Sequence, residues 1–270
     1  MIMCRIKYIL TCVLTCVLLY GIADAQTART RKQNTSTPAA TSAAAPAVKT
    51  ESKRKLKVAK PDLEQIRQIT QDPTNRFYFP KLKKKYEIND TVMSPEEFRY
   101  FYLGYMFQED FDPYRTSPYA KVSEELLQKS SHTKQELDTI IKYTQLSLDD
   151  NPFDLRQMSV LIHALKQQKK NMRAKIWEYR LENILGAIKS TGTGDSVENA
   201  WYVVYPSHEY DMVQVLGYEP VDVQFIDPGY DYLLVEPADG RRRSNSPKGF
   251  YFNVITPQQQ YELKYPEDQM

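Results

Sequence analysis

Between Ser94 and Gln108 the chain reads SPEEFRYFYLGYMFQ, and this stretch restricts the fold more than any other. Ser94 is a favourable N-cap and Pro95 suits the first helical position. Glu97, three residues on, can reach back to the cap N–H, forming a capping box that also puts negative charge at the positive end of the helix dipole. Phe98, Phe101, Tyr102 and Tyr105 fall on one helical face, and Tyr100, Leu103 and Phe107 on another. A helix apolar on most sides has to be enclosed. Elements from both earlier and later in the chain must therefore pack around it.

The termini of the sequence say where such a chain works. Arg5 and Lys7 precede an apolar run from Tyr8 to Ile22, and Ala23-Asp24-Ala25 follows it, which is the layout of a secretory signal peptide over 1–25. The run holds 15 residues, short of the roughly 20 that a spanning helix needs. All three cysteines, Cys4, Cys12 and Cys16, lie in this segment. The mature chain is thus expected to be exported without disulfides, thiol chemistry or thiolate metal sites. Residues 26–60 carry nine Lys or Arg against one acidic residue, in an Ala/Ser/Thr/Pro-rich context with no apolar period. That composition predicts a disordered basic tether. Export argues against a nucleic-acid-binding arm and favours a solvated linker able to make weak contact with an anionic membrane surface.

From residue 61 the chain reads as one folded unit, with a helical layer over 61–190 and a β-rich part over 191–270. Leu63, Ile66 and Ile69 mark a short helix that ends before Asp72-Pro73. Phe77, Phe79, Leu82 and Tyr86 supply apolar contacts, and Asn89-Asp90-Thr91 turns the chain into the aromatic helix. Three more stripes follow: Leu137, Ile140, Ile141, Thr144 and Leu148; Met158, Leu161, Ile162 and Leu165; Trp177, Leu181, Ile184, Leu185 and Ile188. Their short connections predict antiparallel helical hairpins. Tyr100-x-x-Leu103-Gly104-x-x-Phe107 also fits the first helix of a tetratricopeptide repeat, although no 34-residue period continues. After Gly192-Thr193-Gly194, the runs Trp201 to Tyr205, Val221 to Ile226, Tyr230 to Val235 and Phe250 to Ile255 read as strands, with Val221, Val223 and Phe225 inward. Tyr210 to Leu216 suits either a strand or a short glycine-capped helix. With no long helical crossover in view, the sheet is expected to be antiparallel. The fold class is α+β: tetratricopeptide-like helical hairpins followed by a small antiparallel β-sheet.

The run from Tyr78-Phe79-Pro80-Lys81-Leu82 through Glu97-Phe98-Arg99 to Leu103-Gly104-Tyr105-Met106-Phe107 and Phe111-Asp112-Pro113-Tyr114 resembles a family of secreted Bacteroidetes proteins that carry a domain of unknown function. Val215-Leu216-Gly217 and Phe250-Tyr251-Phe252-Asn253 look like its C-terminal part, so the resemblance spans most of Pro61 to Ile255. It implies a periplasmic, secreted or cell-surface location in a Gram-negative bacterium and brings no activity or catalytic residue.

No residue set forms a catalytic motif. His132, His163 and His208 have no i, i+4 partner or HExxH context. His163 reads as a packed histidine and His208 as an exposed loop histidine beside Glu209. Asp110 and Asp112 with Glu109 form an acidic loop lacking calcium-loop spacing. No cofactor or metal is expected. The expected function is a non-enzymatic binding or assembly component of the envelope, with a protein or glycan partner and no nucleic acid. The candidate surface is the loop with Asp110, Asp112, Tyr114 and Arg115, with Tyr119 nearby, because Tyr and Arg concentrate binding energy and the bracketing prolines limit the entropy lost. The alternative is a hydrolase of envelope or dietary glycans, using Asp110, Asp112 or Glu209.

Overall fold

The computed structural model describes residues 56–88, 93–241 and 243–266. The signal segment with its cysteines, the tether up to 55 and the Asn89-Asp90-Thr91 turn lie outside the described residues. Within them, Ala59 N–H donates to Ser190 O at 2.9 Å, and Arg99 donates to Ala59 O at 2.8 Å.

Helices α1 (Leu63–Gln71), α2 (Phe79–Glu87) and α3 (Pro95–Gly104) come first, and α3 runs on as a 3₁₀ turn over Tyr105–Phe107. The α3 capping box forms as its sequence predicts: Glu97 N–H donates to Ser94 Oγ at 3.2 Å and Ser94 N–H to Glu97 Oε2 at 2.8 Å. Sequence reasoning did not identify α2, where Phe79-Pro80 starts a helix whose lysine-rich face is solvated while Phe79, Leu82 and Tyr86 are buried. Helix α3 is enclosed. Phe98, Phe101, Tyr102 and Leu103 are all buried, and Phe101 packs against Phe79, Tyr86 and Phe153 at ring-centroid distances of 5.2, 5.1 and 4.8 Å. At Gly104 a Cβ would come within 2.6 Å of Thr70 Cγ2, so the absent side chain lets α1 lie directly on α3.

A 3₁₀ turn (Ala120–Ser123) and the single-turn α4 (Glu124–Leu127) lead to α5 (Lys134–Asp150), α6 (Leu155–Gln167) and α7 (Asn171–Lys189). Each of the three predicted stripes is the buried side of its helix, with Trp177 and Leu181 packed at the edge of the core. Arg180 of α7, also buried, stacks over Tyr86 at 4.2 Å and Trp177 at 4.5 Å and so ties α7 to α2.

Strand β1 (Trp201–Tyr202) is followed by α8 (Ser207–Val215), β2 (Tyr218–Ile226), β3 (Tyr230–Pro237), β4 (Gly249–Asn253) and α9 (Ile255–Lys264). The sheet order is β1-β4-β3-β2. β2–β3 and β3–β4 are antiparallel, as expected, whereas β1 lies parallel to β4, making the sheet mixed. The crossover that parallel pairing requires is built from α8 and the β2–β3 hairpin. The ambiguous segment is a helix because His208, Glu209, Met212 and Val213 are buried together on one face. Gly217, at φ +84°, then closes it, with its N–H bonded to Gln214 O.

The expected inward face of β2 is corrected by the structure. Val221, Val223 and Phe225 are 55, 43 and 58 % exposed. β2 is an edge strand with a bulge between Pro220 and Asp222, and it overhangs the core that Leu233 and Val235 of β3 complete. Buried residues of the helices and of the sheet fall in one hydrophobic cluster.

Candidate functional site

Where the aromatic helix meets α8, a buried polar chain fixes the local geometry. Val204 N–H donates to the Tyr102 hydroxyl at 3.0 Å, and that hydroxyl lies 2.7 Å from His208 Nδ1. His208 Nε2 is 2.8 Å from Phe153 O. A carbonyl can only accept, so Nε2 carries the proton, Nδ1 accepts from Tyr102, and every member is satisfied. Burial of the ring holds the His208 pKa down at about 3. The expected exposed loop histidine is therefore a neutral structural one, 1 % exposed on α8. Tyr102→Phe orphans both Val204 N–H and His208 Nδ1 and is expected to cost about 2–3 kcal/mol. Urea denaturation checks this, and a loss below about 0.5 kcal/mol would mean the chain is not structural.

Above this anchor, a groove of about 780 Å³ runs between the Pro113–Ser117 loop, the start of α6 and the outer side of α8. A second hollow of about 310 Å³ adjoins it, bounded by Phe225, Asp231, Val254 and Pro257. Pro113, Tyr114 and Pro206 line both, so Tyr114 stands on the divide of one two-compartment cleft. Tyr114 is 56 % exposed and meets Tyr261 of α9 edge-on at 4.9 Å. Tyr210, 41 % exposed, lines the larger compartment from α8. Arg115 pairs with Asp150.

The floor of the larger compartment is polar. Asp154, the N-cap of α6, accepts from Gln157 N–H at 2.9 Å, and burial raises its pKa against the opposing pull of that bond and of Arg156. Burial, then the neighbouring Asp154 carboxyl, push Asp211 up to about 7, with Arg156 opposing. Gln157 is 6 % exposed, and its Oε1 has no hydrogen-bond partner. Below the smaller compartment, Glu209 is 1 % exposed. Burial, then the Asp231 carboxylate, raise it to about 9. It remains protonated at neutral pH and shares a hydrogen bond with Asp231, while its Oε1 stays unpartnered.

Of the loop residues singled out from the sequence, the structure brings Tyr114 and Arg115 to the cleft. Asp110, Asp112 and Tyr119 do not line it. Asp112 instead folds the loop, accepting from Tyr114 N–H at 2.9 Å, and Phe111 is tucked into the core at 2 % exposure. Asp154, Gln157, Asp211 and Asp231 were missed. Asp154 is visible in sequence only as a helix cap, and the others lie on elements brought together by the tertiary fold. Among the described residues no group of three or more His, Cys, Asp or Glu side chains is placed to hold a metal ion.

In comparisons with known proteins, residues 64–263 match the model of a family described as a domain of unknown function (DUF4919). No curated protein and no solved structure matches the chain.

Proposed function

The chain belongs to the DUF4919 family, whose description carries no activity, and we propose from the cleft that it is a non-enzymatic binding protein of the bacterial envelope. The supporting observation is the exposure of Tyr114 and Tyr210 at a concave site of about 780 Å³, within the roughly 300–1,000 Å³ typical of ligand clefts. Exposed rings beside buried polar groups supply contact area and orientation together, which is how binding surfaces are composed. The envelope assignment is supported by the signal-like segment over 1–25 and by the basic composition of 26–60. Tyr114→Ala combined with Tyr210→Ala removes two exposed rings, so thermal unfolding is expected to stay within a few degrees of wild type. Capture of envelope components by the full chain is expected to drop at least tenfold. Unchanged capture would remove the cleft from the function.

One observation favours a second reading, hydrolysis of a glycan. Asp211 holds its proton to about pH 7 beside a second carboxyl, a property suited to general acid–base work. The carboxyls would then be Asp154 and Asp211, because Asp110 and Asp112 lie off the cleft and Glu209 is sealed beneath it. Release of reducing ends from oligosaccharides, abolished by Asp211→Asn, would establish this reading; no release by the wild-type chain would exclude it.

A further inference from the structure

We infer that the larger compartment is a subsite for a neutral saccharide, held by Gln157, Asp154 and Asp211 from below and by the rings of Tyr114 and Tyr210 from the sides. This rests on the reading of the cleft as the binding site. The first argument is the hydrogen-bond inventory. The compartment is lined by the Gln157 side chain and the Asp154 and Asp211 carboxyls, and the Gln157 Oε1, itself closed to solvent, has no partner in the protein. Gln157 is 6 % exposed and lines the cleft, so what little of it is open faces the cleft. An orphan acceptor at this depth is costly, and a turn of the Gln157 amide towards the cleft lets a ligand hydroxyl supply the missing donor. Vicinal hydroxyls donate and accept on adjacent carbons, and so can serve an amide and two carboxyls packed side by side. An extended peptide offers its backbone donors on one side only every second residue.

The second argument is charge. Burial and the Asp154 carboxyl already raise the cost of ionising Asp211, Arg115 is engaged by Asp150, and Arg156, which also lines the compartment, already acts on both carboxyls. An anionic ligand would add like charge to a partly desolvated acid pair, and a cation would be expected to meet a site holding its carboxylates ionised rather than protonated. An uncharged polyhydroxylated ligand avoids both penalties. The third argument is shape. Tyr114 and Tyr210 expose ring area instead of burying it, and the electron-rich face of a phenol ring attracts the polarised C–H face of a pyranose. With Tyr114 on the divide, the two compartments suit consecutive units of one chain.

The test is calorimetric titration of the full chain with hexamers of β-1,4-glucan, β-1,4-xylan, α-1,4-glucan and N-acetylglucosamine, and with a hexagalacturonate as the anionic comparison. At least one neutral hexamer is expected to bind, with affinity falling tenfold or more in Gln157→Leu and in Tyr114→Ala. Affinity is expected to be unchanged in Glu182→Ala, at an exposed position of α7, a helix that contributes no lining residue to either compartment. Binding of no neutral hexamer at millimolar concentration, or tighter binding of the galacturonate, overturns the saccharide assignment. In that case capture of envelope components lost in the Tyr114→Ala, Tyr210→Ala variant leaves the cleft standing as a site for another ligand. Sugar binding indifferent to every cleft variant overturns both.

Discussion

Phe101→Ala is expected to lower the unfolding free energy by about 3–5 kcal/mol, the range for removing a fully buried phenyl ring from a core that cannot collapse around the space. Phe101 is 0 % exposed, and its three ring neighbours come from two separate segments: Phe79 and Tyr86 from α2, and Phe153 from the α5–α6 connection. Those neighbours are themselves pinned. Tyr86 OH donates to Pro152 O at 3.0 Å and lies under Arg180, while Phe153 meets Tyr105 at 5.1 Å. None can move in without breaking its own contacts, so the cost should fall near the upper end. Single-domain stabilities of about 5–15 kcal/mol make such a loss a large part of the total. Urea denaturation monitored by circular dichroism measures it. A change below about 1 kcal/mol would show that α3 is not the centre of the packing.

Glu209→Gln is expected to stabilise the protein, and the gain should grow with pH. Glu209 holds its proton to about pH 9 in the folded chain and to about 4.3 when unfolded. A raised carboxyl pKa gives stability that is complete below the unfolded value and is lost as pH rises towards the folded one. Between those limits only the folded state keeps the proton, so wild-type stability falls by up to about 1.4 kcal/mol per pH unit from this group. Glutamine can make the same donation to Asp231 and has no proton to lose. The variant should therefore gain of order 3–6 kcal/mol on wild type between pH 5 and pH 9. Asp211, with a pKa of about 7, adds a slope of the same sign at lower pH. His208, held at about 3, works the other way: stability falls as pH drops below the ordinary histidine range towards that value. Both groups are common to the two proteins and cancel in the comparison. Parallel stability curves across pH 5, 7 and 9 would mean that Glu209 is ionised in the folded chain.

The first half of the fold is legible along the chain because its signals are local. A capping box at Ser94 and Glu97 is satisfied within one turn, and the stripes of α5, α6 and α7 repeat at a spacing that has one physical reading. The second half depends on partners far away in sequence. Val221, Val223 and Phe225 alternate as a buried strand does, yet burial needs a covering layer, and β2 lies at the edge of the sheet. The two-residue β1 is parallel to β4 only because α8 and a hairpin intervene. Helix α8 itself shows in the sequence only as an equal choice between helix and strand, decided by the core that takes up Met212 and Val213. Helices α2 and α9 were not foreseen, since nine or ten residues rich in Lys or Gln carry too weak an apolar period to stand out.

The cleft divides in the same way. Tyr114 and Arg115 could be singled out because residue type and bracketing prolines are properties of one loop. The cleft's acidic and amide groups could not be: Asp154 caps α6, Asp211 lies on α8 and Asp231 on β3. Their raised proton affinities come from burial and, for Asp211, also from the Asp154 carboxyl. The sequence alone determined the aromatic helix, its caps and the hairpin layer, because interactions three and four residues apart are written in the order of the chain. Which polar groups face each other across the cleft was decided only by the tertiary structure, because desolvation and coupling between carboxyls depend on distances through space.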